Sequence, residues 1–115
     1  MEEFKNSFTS RHPSTGREYK CRLFIEQNDM GGNNVALMVW DIGTKSWQIY
    51  TDLTVYAPGL RKNEVCVNAP ECLMARSIFE RNEFGYFTGR EVRSGHFTYP
   101  IYHVDYEEMA RFAMR

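Results

Sequence analysis

Long hydrophobic runs are missing from this sequence. No stretch reaches the roughly 18 consecutive apolar residues that a membrane-spanning helix needs. The first residues, MEEFKNSF, begin with acids and contain no apolar segment of the kind found in secretion signals. We therefore expect a cytoplasmic protein that has no contact with a membrane.

An excess of charge of either sign is missing as well. Fourteen lysines and arginines stand against fifteen aspartates and glutamates, which gives a formal net charge of -1. No global field therefore draws the protein towards nucleic acid or anionic lipid, and either partner would need a local basic patch.

Paired cysteines are missing too. The three cysteines, Cys21, Cys66 and Cys72, are an odd number, and their spacing fits neither a disulfide framework nor a zinc-binding motif. Reduced thiols in a cytoplasm are the simplest interpretation.

A metal site is not expected, because the sequence has no closely paired set of ligands. On a strand, His103 and Asp105 would point to the same face, but they would supply only two ligands. Cys66 and Cys72 would lie in different elements, the first in a strand and the second in a helix. His96 completes the set of candidate ligands. Isolated histidines and cysteines usually serve as ordinary structural residues, so the sequence predicts no metal and no other cofactor.

Catalytic motifs are also missing, since there is no G-x-S-x-G, no P-loop and no G-x-G-x-x-G. Cys72 is the one local candidate for reactivity, because the dipole of a helix starting just before it would lower its thiol pKa. A small residue near the core boundary is the better interpretation, since free cysteines are usually buried. We expect a protein without catalytic activity; an enzyme with no recognisable motif is an alternative.

What the sequence does contain is typical of one globular domain. It has 115 residues, of which 43% are hydrophobic and 15% aromatic. That is enough to bury a core without disulfides or metals. No repeat or low-complexity tract divides the chain, so we expect a single domain over residues 1–115.

The main helix is predicted over about residues 69–82. Asn68 is a candidate N-cap, and Glu71 stands three residues later, as in a capping box. Apolar residues then recur at spacings of three and four, as on one face of a helix: Met74, Ala75, Ile78 and Phe79. Asn82 and Gly85 are the candidate stop signals, because both residue types tolerate a left-handed backbone.

Strand patterns account for most of the remaining chain. Alternating or continuous apolar residues indicate strands in six stretches, of which the fourth is a short edge or bridging strand and the last two form a hairpin: 19–26, 35–40, 46–55, 64–67, 86–92 and 97–104. Pro100 cannot donate to a sheet, so its strand should lie at an edge or be bulged there. Asp105 and Glu108 would cap a short C-terminal helix. The sum is an α+β fold, an antiparallel β-meander sheet with the main helix and the C-terminal helix packed on one face.

The turn at residues 41–45 decides which side chains of the adjoining strands share a face. If Gly43 is the left-handed residue of a three-residue loop, Leu37 faces Trp47. If a two-residue turn forms instead, Trp40 pairs with Trp47. We favour the first register, because that loop needs a positive φ only at glycine.

The favoured register leaves an apolar face on the sheet. With Trp47 and Ile49 turned to the core, the opposite face carries four large side chains: Phe24, Met38, Trp40 and Tyr50. Two short helices can hardly cover both faces, and an exposed apolar patch usually marks an interface. We therefore predict an interaction surface for another protein or for a second copy of the chain. The alternative is that the N-terminal segment, with Phe4 and Phe8, folds back over this face.

A single-stranded nucleic acid is the alternative ligand. An aromatic and basic sheet face is how several domains stack unpaired bases. Six basic residues could converge beside the aromatic ones: Lys20, Arg22, Arg61, Lys62, Arg90 and Arg93. The balanced charge and the lack of a recognisable motif favour an ordinary solvated face with interspersed acids instead.

Short peptides in the chain resemble those of a known group of proteins. They are Leu53-Thr54-Val55, the helix start at Asn68, Asn82-Glu83-Phe84-Gly85, Thr88-Gly89-Arg90, Ser94-Gly95 and Tyr99-Pro100-Ile101-Tyr102. Over residues 19–104 the chain resembles an uncharacterised family of small bacterial domains of unknown function, often encoded on conjugative or phage-like mobile elements. The resemblance implies a bacterial cytoplasm and an accessory role in the transfer of such an element or in its dealings with host defence. It implies no catalytic residue.

Overall fold

Ten short elements follow one another in the computed structural model, which describes residues 4–27 and 33–114. In chain order they are β1 (Phe8–Arg11), β2 (Glu18–Gln27), β3 (Asn33–Asp41), β4 (Ser46–Asp52), β5 (Thr54–Val55), β6 (Glu64–Val67), α1 (Ala75–Arg81), β7 (Gly85–Ser94), β8 (Phe97–Val104) and α2 (Tyr106–Ala110). The predicted α+β class is confirmed.

The strands form two antiparallel sheets of four strands each. The first, which we call the meander sheet, has the order β1-β2-β3-β4, so its strands pair in chain order as predicted. The second sheet has the order β5-β6-β8-β7. The predicted pattern of strands is therefore present, but it is divided between two sheets.

One core cluster joins both sheets and both helices. The meander sheet contributes its inward-facing residues: Phe8, Cys21, Leu23, Val35 and Leu37. The second sheet adds Val65, Val67, Tyr102 and Val104, and the helices add Ala75, Ile78, Phe79 and Met109. Burial of these apolar side chains is the main favourable contribution to folding.

The β3–β4 hairpin has the register that the sequence did not favour. Trp40 pairs with Trp47, and Asp41 pairs with Ser46 around a loop of residues 42–45. The predicted pairing of Leu37 with Trp47 is therefore wrong. Because side chains alternate between faces, this change moves the large residues of β4 to the other side of the sheet.

An aspartate holds this loop in place of a left-handed glycine. The Oδ1 atom of Asp41 accepts hydrogen bonds from the backbone N–H groups of Gly43, at 2.8 Å, and Thr44, at 3.4 Å. The left-handed residue is Lys45, with φ 54°. The side chain of Asp41 stabilises a longer loop, so the turn does not depend on a positive φ at Gly43.

Helix α1 begins later than predicted, at Ala75 rather than near residue 69. Its N-cap is Met74, without a side-chain cap. Asn68 is buried instead, and its Nδ2 atom donates to the carbonyl oxygen of Asp52 at 3.0 Å. The cap-like pattern was misleading because the Asn68 side chain bonds to the end of β4, while the N–H of Cys72 donates to the Asn68 carbonyl oxygen in a turn.

The other end of α1 follows the prediction in part. Asn82 is the C-cap, as one of the two predicted stop signals. The left-handed residue is Glu83, with φ 59°, rather than Gly85. Gly85 permits a close approach between strands, because a Cβ atom there would lie 2.5 Å from the carbonyl oxygen of His103.

Strand β8, which contains Pro100, was predicted to lie at a sheet edge or to be bulged at the proline. It lies between β6 and β7, and the ladder is irregular beside Pro100, since Phe87 pairs with Tyr102 and Glu91 with Pro100. The extra residues, 88–90, belong to β7, so the irregularity lies beside the proline but in the partner strand, and the predicted edge position is wrong.

The C-terminal segment completes the meander sheet. Helix α2 has the predicted N-cap, since Asp105 Oδ1 accepts a hydrogen bond from the N–H of Glu108 at 3.1 Å. After the helix, the N–H of Leu23 donates to the carbonyl oxygen of Phe112, and the N–H of Met114 donates to that of Leu23. Residues 112–114, which we call the tail, thus run parallel to β2 beyond the end of β1.

Candidate interaction surface

The meander sheet has one face turned away from the core. The strand pairs place six side chains on it, which we call the outer face: Arg22, Phe24, Met38, Trp40, Trp47 and Ile49. Their neighbours along the strands, such as Leu23 and Leu37, are fully buried in the core. The side chains of the outer face therefore point away from the core, where they are able to contact another molecule.

Exposure is uneven across the outer face. Ile49 is 63% exposed and Phe24 is 37% exposed, while Trp40 and Trp47 are half-buried. Met38 is only 9% exposed, and it pairs with Arg22 on one side and with Ile49 on the other. The accessible apolar surface is thus formed by residues of all three strands.

Aromatic rings cluster at one end of the outer face. The ring centroids of Trp40 and Trp47 are 5.5 Å apart, and the ring of Phe4 meets Trp40 edge-on at the same distance. The guanidinium of Arg22 lies 5.9 Å from the Trp47 ring, and the Nζ atom of Lys20 lies 5.9 Å from the Phe4 ring. Such ring pairs and cation–π contacts hold the cluster in a defined arrangement.

The N-terminal segment covers only a small part of this face. Phe4 contacts Trp40, but Phe8 is buried in the core, with its ring centroid 5.5 Å from those of Phe84 and Phe112. In the described residues, the N-terminal segment therefore does not fold back over the apolar face as the alternative interpretation expected. Phe24 and Ile49 stay exposed.

Arg22 connects the outer face to the tail. Its Nη2 atom donates to the carbonyl oxygen of Ala113 at 2.8 Å, while the guanidinium also approaches Trp47. Its Nε atom is buried and has no hydrogen-bond partner among the described residues. Arg22 therefore belongs to the fixed border of the face.

Tyr50 does not lie with the other three residues of the predicted surface. The register shifts in β4, so that Met38 pairs with Ile49 and Leu37 with Thr51, and Tyr50 is the extra residue. Its ring lies 5.5 Å from that of Tyr19, on the core side of the sheet. Partial burial and the neighbouring Tyr19 raise the pKa of Tyr50. Trp47 and Ile49, which were expected in the core, lie on the outer face instead.

An open cleft separates Tyr50 from the aromatic cluster. It has a volume of about 760 Å³, and its aromatic lining consists of Phe4, Tyr19, Trp40 and Tyr50. Lys20 and Arg17 add positive charge to its wall, and Glu18 and Asp41 add negative charge. The sequence did not indicate this cleft, because it depends on the bulge that turns Tyr50 to the other side.

Most of the basic residues considered for nucleic acid lie elsewhere. Lys20 and Arg22 border the outer face on β2. The other four belong to the second sheet and the loop that precedes β6: Arg61, Lys62, Arg90 and Arg93. Arg90 is paired with Glu64. The convergence of six cations that a nucleic-acid site would need is therefore not formed, as the favoured interpretation of an ordinary solvated face expects.

The three cysteines are free and buried. Burial raises the pKa of Cys21 to about 12 and that of Cys66 to about 11, and it also raises the pKa of Cys72. Cys72 precedes α1, so the suggested lowering of its pKa by the helix dipole is wrong. Within residues 4–27 and 33–114, no group of three or more His, Cys, Asp and Glu side chains is placed to hold a metal ion.

The fold and the outer face define a small α+β domain whose family is shown by comparison. A family model described as a domain of unknown function (DUF4313) matches residues 27–115, and the chain belongs to that family. The match includes β3 and β4, whereas β1 and nearly all of β2 precede it. No curated protein and no solved structure matches the chain.

In the part of the chain that the structure describes, no helix has both the length and the apolar character needed to cross a membrane.

Proposed function

We propose that the protein acts without catalysis, by binding another protein through the outer face. One observation carries this proposal: large apolar side chains are exposed together on a sheet face that neither helix covers. Ile49 and Phe24 are exposed there beside two half-buried tryptophans. Contiguous apolar patches of this kind usually mark sites of interaction.

The residues of the outer face indicate the chemistry of the partner. Tryptophan and arginine are enriched among the residues that dominate binding energy at protein interfaces. Lys20 and Arg22 provide positive charge beside the rings of Trp40 and Trp47. An apolar protein surface bordered by carboxylates would complement them, and the cleft beside Trp40 has room for one projecting side chain.

The biological setting that we propose is a bacterial cytoplasm, with an accessory role for a mobile element. This part of the proposal depends on the resemblance of the short peptides alone. Family membership by itself assigns no role, since the family is described only as a domain of unknown function.

Capture experiments with two matched variants test the binding proposal. Phe24→Ser removes an exposed ring from the outer face, whereas Phe97→Ser removes a ring that is 40% exposed on β8 of the second sheet. Immobilised wild-type protein and the Phe97 variant should capture the same proteins from a bacterial lysate. The affinity of a purified partner for the Phe24 variant should fall roughly tenfold, as for truncation of an important interface residue.

Two results would contradict the proposal. One is equal affinity of the purified partner for the Phe24→Ser and wild-type proteins. The other is loss of all captured proteins when the lysate is treated with nuclease, because nucleic acid would then connect them to the bait.

Single-stranded nucleic acid is the second candidate, favoured by the position of Lys20 and Arg22 beside aromatic rings. Phosphate contacts are strongest at low salt, so an oligonucleotide should bind there and should dissociate as salt is added. Absence of binding at low salt would remove this candidate.

A further inference from the structure

Strand β4 is a sheet edge that carries no charge over most of its length. It is the last strand of the meander sheet and carries no proline and no charge before Asp52. Ile49 is 63% exposed and Tyr50 is 44% exposed. Natural proteins protect exposed edges with charges, prolines, bulges or very short strands, because an open edge can pair with another strand.

Each of the other described edges is protected by charge or by a length of only two residues. β1 carries Arg11, which is paired with Glu18, and β5 has two residues. β7 is long, but it is interrupted by the irregularity at residues 88–90 and carries Arg90, Glu91 and Arg93. In β4 the single bulge, at Tyr50, leaves Ser46 to Ile49 regular. The contrast singles out β4 as the edge that is available for pairing.

We propose that β4 pairs antiparallel with β4 of a second copy of the chain, giving a dimer with two-fold symmetry. The two meander sheets then form one sheet of eight strands. Backbone hydrogen bonds would be satisfied from Ser46 to Ile49 on both edges, as in other cases of strand addition, while the carbonyl oxygen of Asp52 keeps its hydrogen bond from Asn68 Nδ2. The two-fold axis passes near Gln48 and Ile49, at the centre of the strand.

Charge at the two ends of β4 identifies a second copy as the occupant. Lys45 precedes the strand and Asp52 ends it. Tyr50 is an extra residue in the ladder, so an antiparallel pair centred on Gln48 places Lys45 of one copy opposite Asp52 of the other. The edge is thus complementary to itself, and symmetric dimers are the commonest oligomers.

Pairing of this kind also joins the two outer faces. A two-fold axis perpendicular to the sheet keeps both outer faces on the same side. In the register centred on Gln48, Ile49 of one copy lies opposite Trp47 of the other, which is a favourable cross-strand combination. The dimer is independent of what the outer face binds, and its tests do not involve the binding partner.

Sedimentation of the purified protein gives the first test. Wild-type protein should be dimeric, with a fraction of dimer that rises with concentration. Ile49→Lys places a charge at the centre of the edge and should give a monomer, whereas Ile42→Lys adds the same charge outside the strand and should leave the dimer intact. A monomeric wild type at every concentration would overturn the proposal.

Exchange of the two charges tests the antiparallel arrangement. Lys45→Asp and Asp52→Lys should each weaken the dimer, by roughly two- to fivefold for an exposed ion pair. The double variant should recover the lost affinity, because the opposite charges again face each other. Aspartate tolerates the left-handed conformation of position 45. A double variant no tighter than either single variant would contradict this arrangement.

Disulfide formation locates the axis. Directly opposed residues of an antiparallel pair have Cα atoms about 4.5 to 5.5 Å apart, within disulfide range. Under mild oxidation, either Gln48→Cys or Ile49→Cys should form a covalent dimer faster than Ile42→Cys. The three native cysteines are buried and should not compete. If neither variant exceeds the Ile42 control, β4 is not the site of pairing.

Discussion

Cys21 shows how the surroundings of one side chain set a pH range of stability. Burial raises its thiol pKa from 9.0 to about 12, so the folded protein keeps the thiol proton where the unfolded chain loses it. Stability that is fully present below pH 9 is therefore lost as the pH rises from 9 towards 12. We expect Cys21→Ala to flatten this alkaline loss, measured by urea unfolding at a series of pH values.

Cys66 provides the control for that experiment. Its pKa is raised less, to about 11, so Cys66→Ala should flatten the alkaline loss over a narrower range. Both variants create a small cavity, which lowers the free energy of unfolding at every pH. The quantity to compare is therefore the slope of the free energy of unfolding against pH. Equal slopes for Cys21→Ala and the wild type would show that this thiol does not set the alkaline limit.

Two polar residues show why the sequence predicted local structure incompletely. Asn68 has the spacing of a helix cap, but its Nδ2 atom bonds to Asp52, which is distant in sequence. Asp41 lies in a turn that the sequence placed correctly, yet its side chain decides the register through Gly43 and Thr44. Spacing indicates which residues can cap or turn a chain, whereas the choice of partner depends on tertiary contacts.

At the scale of the element, the end of α1 offers a stabilising substitution. Glu83 has φ 59°, a conformation that is unfavourable for residues with a Cβ atom. Glu83→Gly should raise the free energy of unfolding by about 0.5 to 1 kcal/mol, because glycine adopts this conformation without strain. Urea denaturation of the wild type and the variant measures the change.

Arg81→Gly is the matched control, because it places glycine in the last turn of the same helix. There the substitution should lower the free energy of unfolding by up to about 1 kcal/mol, as glycine does within helices. If both variants lose stability, Glu83 is not under conformational strain.

Strand β4 shows which part of the candidate site could be predicted. The sequence indicated a strand over 46–55 and an apolar face containing Phe24, Met38 and Trp40, and the structure places these three together. Tyr50 could not be placed, because one extra residue in the ladder reverses every side chain that follows it. A bulge has no reliable signal in a single sequence.

At the scale of the whole molecule, the tail connects the end of the described chain to the meander sheet. The ring of Phe112 packs against Phe8 and Phe84, and its carbonyl oxygen accepts the N–H of Leu23. Phe112→Ala should lower the free energy of unfolding by about 2 kcal/mol, less than for a fully buried ring. Hydrogen exchange should show faster exchange of the Leu23 amide.

The amide of Leu53 reports on the rest of the sheet, because it donates to the carbonyl oxygen of Val35 on β3 rather than to a residue of the tail. In the Phe112→Ala variant, the hydrogen-exchange rate of the Leu53 amide should change only as much as the global free energy of unfolding changes. Leu73→Ala, at an exposed side chain, should leave the Leu23 amide protected. Unchanged protection of Leu23 in the Phe112 variant would mean that the tail is held by its backbone alone.

The overall class was predictable because periodicity and turns are local properties of the sequence. The division into two sheets was not, since it depends on β5 pairing with β6 and on β8 lying between β6 and β7. The parallel contact of Ala113 with Leu23 was equally hidden, as it joins residues far apart in sequence. Pairings of this kind are selected by the shared core rather than by any one segment.

The chain has two tryptophans, and both are on the outer face with their ring centroids 5.5 Å apart. Its tryptophan fluorescence therefore comes from this one place, next to the guanidinium of Arg22. Coupling between the two indoles should give a paired circular-dichroism signal that depends on their mutual angle. The protein thus carries its own optical probe, and events at this surface can be followed without an attached dye.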